Sequence, residues 1–175
     1  MSPSNPLKLS GLLATALLAA ASWATAAAAS DQVFDDWALR CPDKVGCFLD
    51  QRVFIKGQEE QPLLQAAFQY RGTDRRPGGV LRVPLGVLLE PGLTLRIDAA
   101  KPYLLHFSHC RREGCVALFK VTPQLRRRLE RGREAKVGFK TMEGRLVELP
   151  LSLMGITAGL AALADAPRPD SEPAD

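Results

Sequence analysis

Aromatic residues make up only 6% of this 175-residue chain, and histidine appears twice. A core built here must therefore rest on Leu, Val, Ile and Ala. There is no G-x-S-x-G elbow and no glycine-rich phosphate loop, which sets aside the hydrolases and nucleotide-binding enzymes that depend on them. No internal repeat is evident. Beyond the N-terminal segment, no apolar run is long enough to span a bilayer. The four cysteines do not show the C-x2-C spacing that a zinc site would need. Two histidines, His106 and His109, stand in an H-x-x-H pattern. On a strand an odd separation sends the two rings to opposite faces, so shared ligation would need a bulge at Ser108.

What is present begins with a leader. Lys8 supplies a positive start, Leu9 to Ala21 is a short apolar run, and Ala24-Thr25-Ala26 and Ala27-Ala28-Ala29 are small-residue cleavage sites. Residues 1–29 read as a cleaved signal peptide, with no cysteine placed for lipoprotein processing. Losing Lys8 lowers the formal charge from +4 to about +3. That balance does not call for nucleic acid, and export makes such a partner less fitting still. The remaining chain suits one domain, residues 30–164, followed by an acidic, proline-rich tail over 165–175 that reads as disordered. The expected location is periplasmic or secreted, with outer-membrane association as a variant.

The chain is organised around Val80 to Val121, which holds short apolar runs, two Pro-Gly punctuation points and a close cysteine pair. Leu93, Leu95 and Ile97 alternate with Thr94, Arg96 and Asp98, a half-buried strand. Further strands are expected over Phe34 to Cys41 (Trp37 and Leu39 inward), Cys47 to Ile55, Leu63 to Tyr70, Tyr103 to Phe107 and Cys115 to Val121. Ala135 to Thr141 and Arg145 to Leu151 form a hairpin about Met142-Glu143-Gly144. Thr122 caps a short helix with Pro123 at its first position, Leu125 and Leu129 inward, and Gly132 at its end. Ser152 is expected to cap a second helix whose stripe is Leu153, Ile156, Leu160 and Leu163. Gly155 and Gly159 weaken that helix in isolation, so it must dock to persist. The fold class is therefore mostly β: a single-domain sandwich or partly closed barrel with one short helix between strands and a C-terminal helix.

An even cysteine count in an exported chain favours disulfides, and three connectivities are open. The local pairing, Cys41 with Cys47 and Cys110 with Cys115, is preferred because turn residues lie between each pair.

These residues resemble the invasion-associated locus B family of exported alphaproteobacterial proteins. The resemblance rests on Asp36-Trp37 with Cys41, Gly46-Cys47-Phe48 with Gln51-Arg52-Val53, Arg82 to Leu89, Pro91 to Asp98, Cys110 with Gly114-Cys115-Val-Ala, and Ser152 to Leu160. Asp35 stands where the pattern has glycine and Glu90 where it has proline, both at turns or termini. The resemblance implies an exported, mostly β domain and a link to host-cell invasion in some pathogens. It supplies no catalytic residue.

No convergent acid, base and nucleophile stands out, and neither a cofactor nor a metal is expected. Asp35-Asp36 and Glu59-Glu60 read as surface charge. One feature has positional content. Arg111 and Arg112 sit on the cysteine-bounded turn, while Arg126, Arg127, Arg128 and Arg131 crowd the short helix. These six are the candidate anion- or partner-binding residues, because the guanidinium fork suits phosphate and sulfate. The plainer account is a solvated helix face. The leading expectation is a non-enzymatic protein that binds a partner protein or an anionic glycan or lipid surface. The alternative is an envelope-stabilising or chaperone-like factor, with a small hydrolase behind both.

Overall fold

The computed structural model describes residues 31–42, 46–57, 59–71, 74 and 76–168. The expected leader and residues 169–175 of the expected tail lie outside them. The first expected strand is in fact two. β1 (Gln32–Phe34) and β2 (Trp37–Arg40) pair as a hairpin. The chain reverses at Asp35, whose φ of 48° is a left-handed conformation that aspartate tolerates. β3 (Phe48–Val53), β4 (Leu64–Gln69) and β5 (Gly78–Val83) follow as successive antiparallel neighbours.

β6 (Leu93–Ile97) opens a second sheet, joined by β7 (Tyr103–Leu105). The run expected from Tyr103 to Phe107 is split at His106. There the chain crosses to the first sheet as β8 (Phe107–Arg111), which pairs with β9 (Gly114–Lys120). After α1 (Pro123–Arg131), β10 (Glu134–Lys140) and β11 (Leu146–Ser152) complete the second sheet, and α2 (Ile156–Asp165) follows. The order is β1-β2-β3-β4-β5-β9-β8 in the larger sheet and β11-β10-β6-β7 in the smaller. Neither sheet closes on itself, so of the two architectures expected the sandwich is the one observed.

The alternation read from the sequence places the core. Leu93, Leu95, Ile97, Ala135, Val137, Phe139, Leu149 and Leu151 face inward from the smaller sheet. Trp37, Leu39, Leu49, Leu64, Phe68, Leu81 and Ala117 meet them from the larger one. Both cysteine pairs are the local ones, Cys41–Cys47 and Cys110–Cys115, and no cysteine is free. Cys110 and Cys115 sit directly opposite each other in the β8–β9 register.

The two helices illustrate two kinds of local signal. In α1 the Thr122 Oγ1 accepts from the Leu125 N–H at 3.2 Å, and the Gly132 N–H donates to the Arg128 carbonyl at 2.9 Å. Leu125 and Leu129 are buried, as their spacing predicts. In α2 the expected cap is displaced. Ser152 ends β11, and its hydroxyl accepts from the Met154 N–H. The cap position is Gly155, at φ +83°. A side chain there would collide with the Phe34 carbonyl oxygen, and one at Gly159 would meet Leu49 Cδ1 at 2.6 Å. The glycines that weaken this helix alone are thus the points where it lies against β1 and β3. Asp165 closes the helix rather than opening a tail. Arg168 lies over the Tyr70 ring at 4.6 Å and donates to the Asp74 carbonyl, so residues 165–168 belong to the folded domain.

A buried polar clasp joins the sheets. The Ser152 N–H donates to Gln51 Oε1 at 2.9 Å. The Ser152 carbonyl accepts from Gln51 Nε2 at 3.2 Å and from the Trp37 indole N–H at 3.1 Å. Gln51 Nε2 also reaches the Asp36 carbonyl. Replacing Gln51 with Leu keeps similar bulk but strands these backbone groups, so it should lower stability by about 1–3 kcal/mol. A denaturant titration checks this, and an unchanged midpoint at unchanged slope would show that the clasp carries no stability.

Candidate anion-binding site

The six arginines singled out from the sequence do not form one site. Arg111 ends β8 and Arg112 lies in the turn before β9. α1 begins beyond the far end of β9. Six strand steps separate the two groups by about 20 Å. The helical arginines divide again. Arg126 Nε donates to Glu130 Oε1 at 2.7 Å, one helical turn on. That hydrogen bond raises its pKa further, with a smaller contribution from Tyr70. Arg126 is thereby tied into an intrahelical pair.

Arg127, Arg128 and Arg131 do come together. With Gln124, Asp98, Ile97, Ala100 and Gly132 they line a groove of about 430 Å³ between α1 and the end of β6. Their placement follows from the core: Leu125 and Leu129 must point inward, which turns 127, 128 and 131 outward on the arc beside β6. The Arg128 guanidinium lies 5.6 Å from the Tyr103 ring centroid, a cation–π contact that fixes its stem. Asp98 is the one carboxylate in the lining. It sits at φ +47° with its Oδ1 accepting from the Arg133 and Glu134 N–H groups, so its charge is held by the β10 entry. Three guanidiniums thus face one committed carboxylate. Arg128 and Arg131 also lie in the last helical turn, where cations complement the helix dipole, so part of their placement serves the helix itself.

A second cationic array has no counterpart among the sequence candidates. Asp50 lies on the outer face of the larger sheet but is only 2% exposed. Its Oδ1 accepts from Arg40 Nε and its Oδ2 from Arg52 Nε, both at 2.9 Å. Gln65 Nε2 donates to Oδ2 at 3.2 Å, and Arg82 Nη1 donates in turn to Gln65 Oε1. Arg40 pairs also with Asp31. Asp50 raises the Arg40 pKa through that hydrogen bond. The neighbours of Asp50 across the sheet are Ala38 and Ala67, small enough for arginine stems to fold over it. The sequence shows that Asp50 and Arg52 share a face of β3. It does not show the register that brings Arg40 and Arg82 to them.

The histidines meet the condition set from sequence. The register of β8 against β9 slips between Phe107 and His109, a bulge at Ser108. The His109 Nδ1 lies 3.2 Å from the Ser108 hydroxyl. Among the described residues no group of three or more His, Cys, Asp or Glu is arranged to hold a metal. Among the same residues, no helix is long and apolar enough to cross a membrane.

Removing the Asp50 carboxylate should expose what it does. Asp50→Ala leaves two neighbouring arginines without their shared anion, and stability should fall by roughly 2 kcal/mol. Thermal melting checks this. A loss no larger than that of Asp31→Ala, at the exposed end of the same network, would show Asp50 to be dispensable.

Comparison with known proteins agrees with this architecture. The crystal structure of invasion associated protein b from Bartonella henselae superposes with a TM-score of 0.70 at 18% identity, covering 78% of this chain and 96% of that one. No curated protein sequence matches. The model of the Invasion associated locus B (IalB) protein family matches residues 37–164, from the clasp tryptophan through α2, and the chain belongs to that family.

Proposed function

We propose that this chain is a non-enzymatic, exported envelope or secreted protein that acts by binding, with the α1 groove as its anion-binding site. The observation that carries this reading is the convergence of Arg127, Arg128 and Arg131 on one recess whose single carboxylate is already engaged. A dianionic phosphate group on an envelope or host-surface molecule fits that recess, since two or three guanidinium forks can close on it together. The two disulfides accord with an oxidising compartment, periplasmic or extracellular. Membership of a family named for invasion accords with a role at the cell surface.

An envelope-stabilising or chaperone-like role is the second reading. It is favoured by exposed Leu85, Leu89, Met142 and Leu146, gathered where Val87 bridges Thr141. Such an apolar cluster would seat another protein with little dependence on salt.

Arg127→Glu with Arg131→Glu should leave the fold intact and weaken binding to lipopolysaccharide vesicles about tenfold at physiological salt. The comparison is with Lys56→Glu and Arg145→Glu, a charge-matched reversal at exposed turns. Equal binding by the two double variants would reduce the groove to a solvated helix face. Binding to envelope proteins that persists through a salt series in both would favour the second reading.

A further inference from the structure

The outer face of the seven-stranded sheet carries cations of its own, apart from the arginines of α1. Side chains paired across neighbouring strands share a face, so the register fixes its composition. Arg52 on β3, Gln65 on β4 and Arg82 on β5 form one row, which continues to Val116 and His109. Arg40 and Lys120 stand in the next-but-one row, and Arg111 follows His109 on the same side of β8. Among the described residues the only carboxylate on these outward strand positions is Asp50, sunk beneath its arginines, with Asp31 at the edge. Both helices and the smaller sheet lie on the opposite side, where Gly159 of α2 packs on Leu49.

We propose that this face binds a linear sulfated polysaccharide. It is a site distinct from the α1 groove and goes beyond the function proposed for it. The backbones of Arg52 and Arg82 are two strands apart, about 10 Å, and their heads are held by different partners, Arg52 by Asp50 and Arg82 by Gln65. A ligand that engages both must carry separate charges along an extended chain. Gln65 separates Arg52 from Arg82 in their row, so each offers a single guanidinium fork; one fork matches a monoanionic sulfate ester, whereas a dianionic phosphate is better met by the convergent arginines of the groove. The forks are held before any ligand arrives: Asp50 fixes the Nε edge of Arg52, and Gln65, itself bound to Asp50, fixes one nitrogen of Arg82. Less side-chain freedom is then lost on binding. Between the cationic rows run Ala67, Val80 and Leu118, the last 43% exposed, an apolar strip on which the C–H faces of sugar rings can lie.

Immobilised heparin is the probe, with retention measured over a salt series. Arg82→Gln with Lys120→Gln leaves all three partners of Asp50 in place and should weaken heparin binding about tenfold at physiological salt. Arg127→Glu with Arg131→Glu should change it by no more than about twofold on this proposal. Arg111→Gln with Lys120→Gln, which leaves the Gln65–Asp50 chain untouched, repeats the test should the first pair disturb the circular dichroism spectrum. Sheet-face variants that hold heparin as tightly as the unaltered protein would overturn the proposal. So would a groove variant that loses heparin as fully, or sheet-face variants that lose lipopolysaccharide vesicles while keeping heparin. Loss of vesicle binding in the groove variant alone leaves both sites standing, so the two proposals fail separately.

Discussion

The fold turns on the backbone of one residue, Ser152. Ser152 ends β11 opposite Glu134 of β10, and its N–H and carbonyl bond across to side chains of the larger sheet. A bare peptide there would lose water and gain nothing. Gln51 supplies both a donor and an acceptor, and Trp37 supplies a second donor, so the end of one sheet is tied to the inner face of the other. The same peptide leads directly into Leu153, Gly155 and α2. The angle at which α2 leaves the sheet, and hence its seat on Phe34 and Leu49, depends on where this clasp stops the strand. A hydrophobic contact would hold the sheets together without fixing that position; paired hydrogen bonds fix it because their geometry admits few alternatives.

How much of this could be read from residues alone depends on how local the cause was. The helix from Pro123 to Arg131 was legible because its cap, its first-turn proline, its two core leucines and its terminal glycine lie within eleven positions. The β10–β11 hairpin and both disulfides were legible for the same reason. What failed was decided at a distance. Phe34 is out of phase with Trp37, Leu39 and Cys41 across Asp35-Asp36, but a slip in alternation does not by itself show that Asp35 turns left-handed so that β1 can fold back on β2. Tyr103 to Phe107 reads as one strand because period-two alternation is indifferent to which sheet accepts the hydrogen bonds. Ser152 has the chemistry of a cap, but it ends β11, where the side chains of Gln51 and Trp37 take its backbone. Even the glycines of α2 were read for what they cost in helix propensity, while their reason, close approach to β1 and β3, is tertiary.

The candidate site followed the same division. Counting arginines in sequence found the helical cluster because four lie within six residues. It joined Arg111 and Arg112 to that cluster, which the length of β9 forbids, and it missed Arg40, Arg52 and Arg82, which are spread over more than forty residues and meet only through the register of four strands. Clustering in sequence is evidence of clustering in space on a helix, where one turn returns to the same face. On a sheet the equivalent neighbours belong to different strands, and no window along the chain can collect them.

The two arrays differ in what they can recognise, and the difference follows from the elements that carry them. A helix rotates successive side chains about one axis, so three arginines on the exposed arc of α1 converge on a recess beside β6 and suit a compact, highly charged group. A sheet spaces its side chains on a lattice, and with Arg52 held by Asp50 and Arg82 by Gln65 the two heads stay apart and suit charges repeated along a chain. Asp50 is what makes the second arrangement stable. Without a buried anion, guanidiniums stacked over Ala38 and Ala67 would repel one another and splay into solvent. With it, two of them share one carboxylate while the array keeps a net positive charge. The carboxylate serves the surface from beneath, and its burial is the structural condition for the exposure of the charges above it.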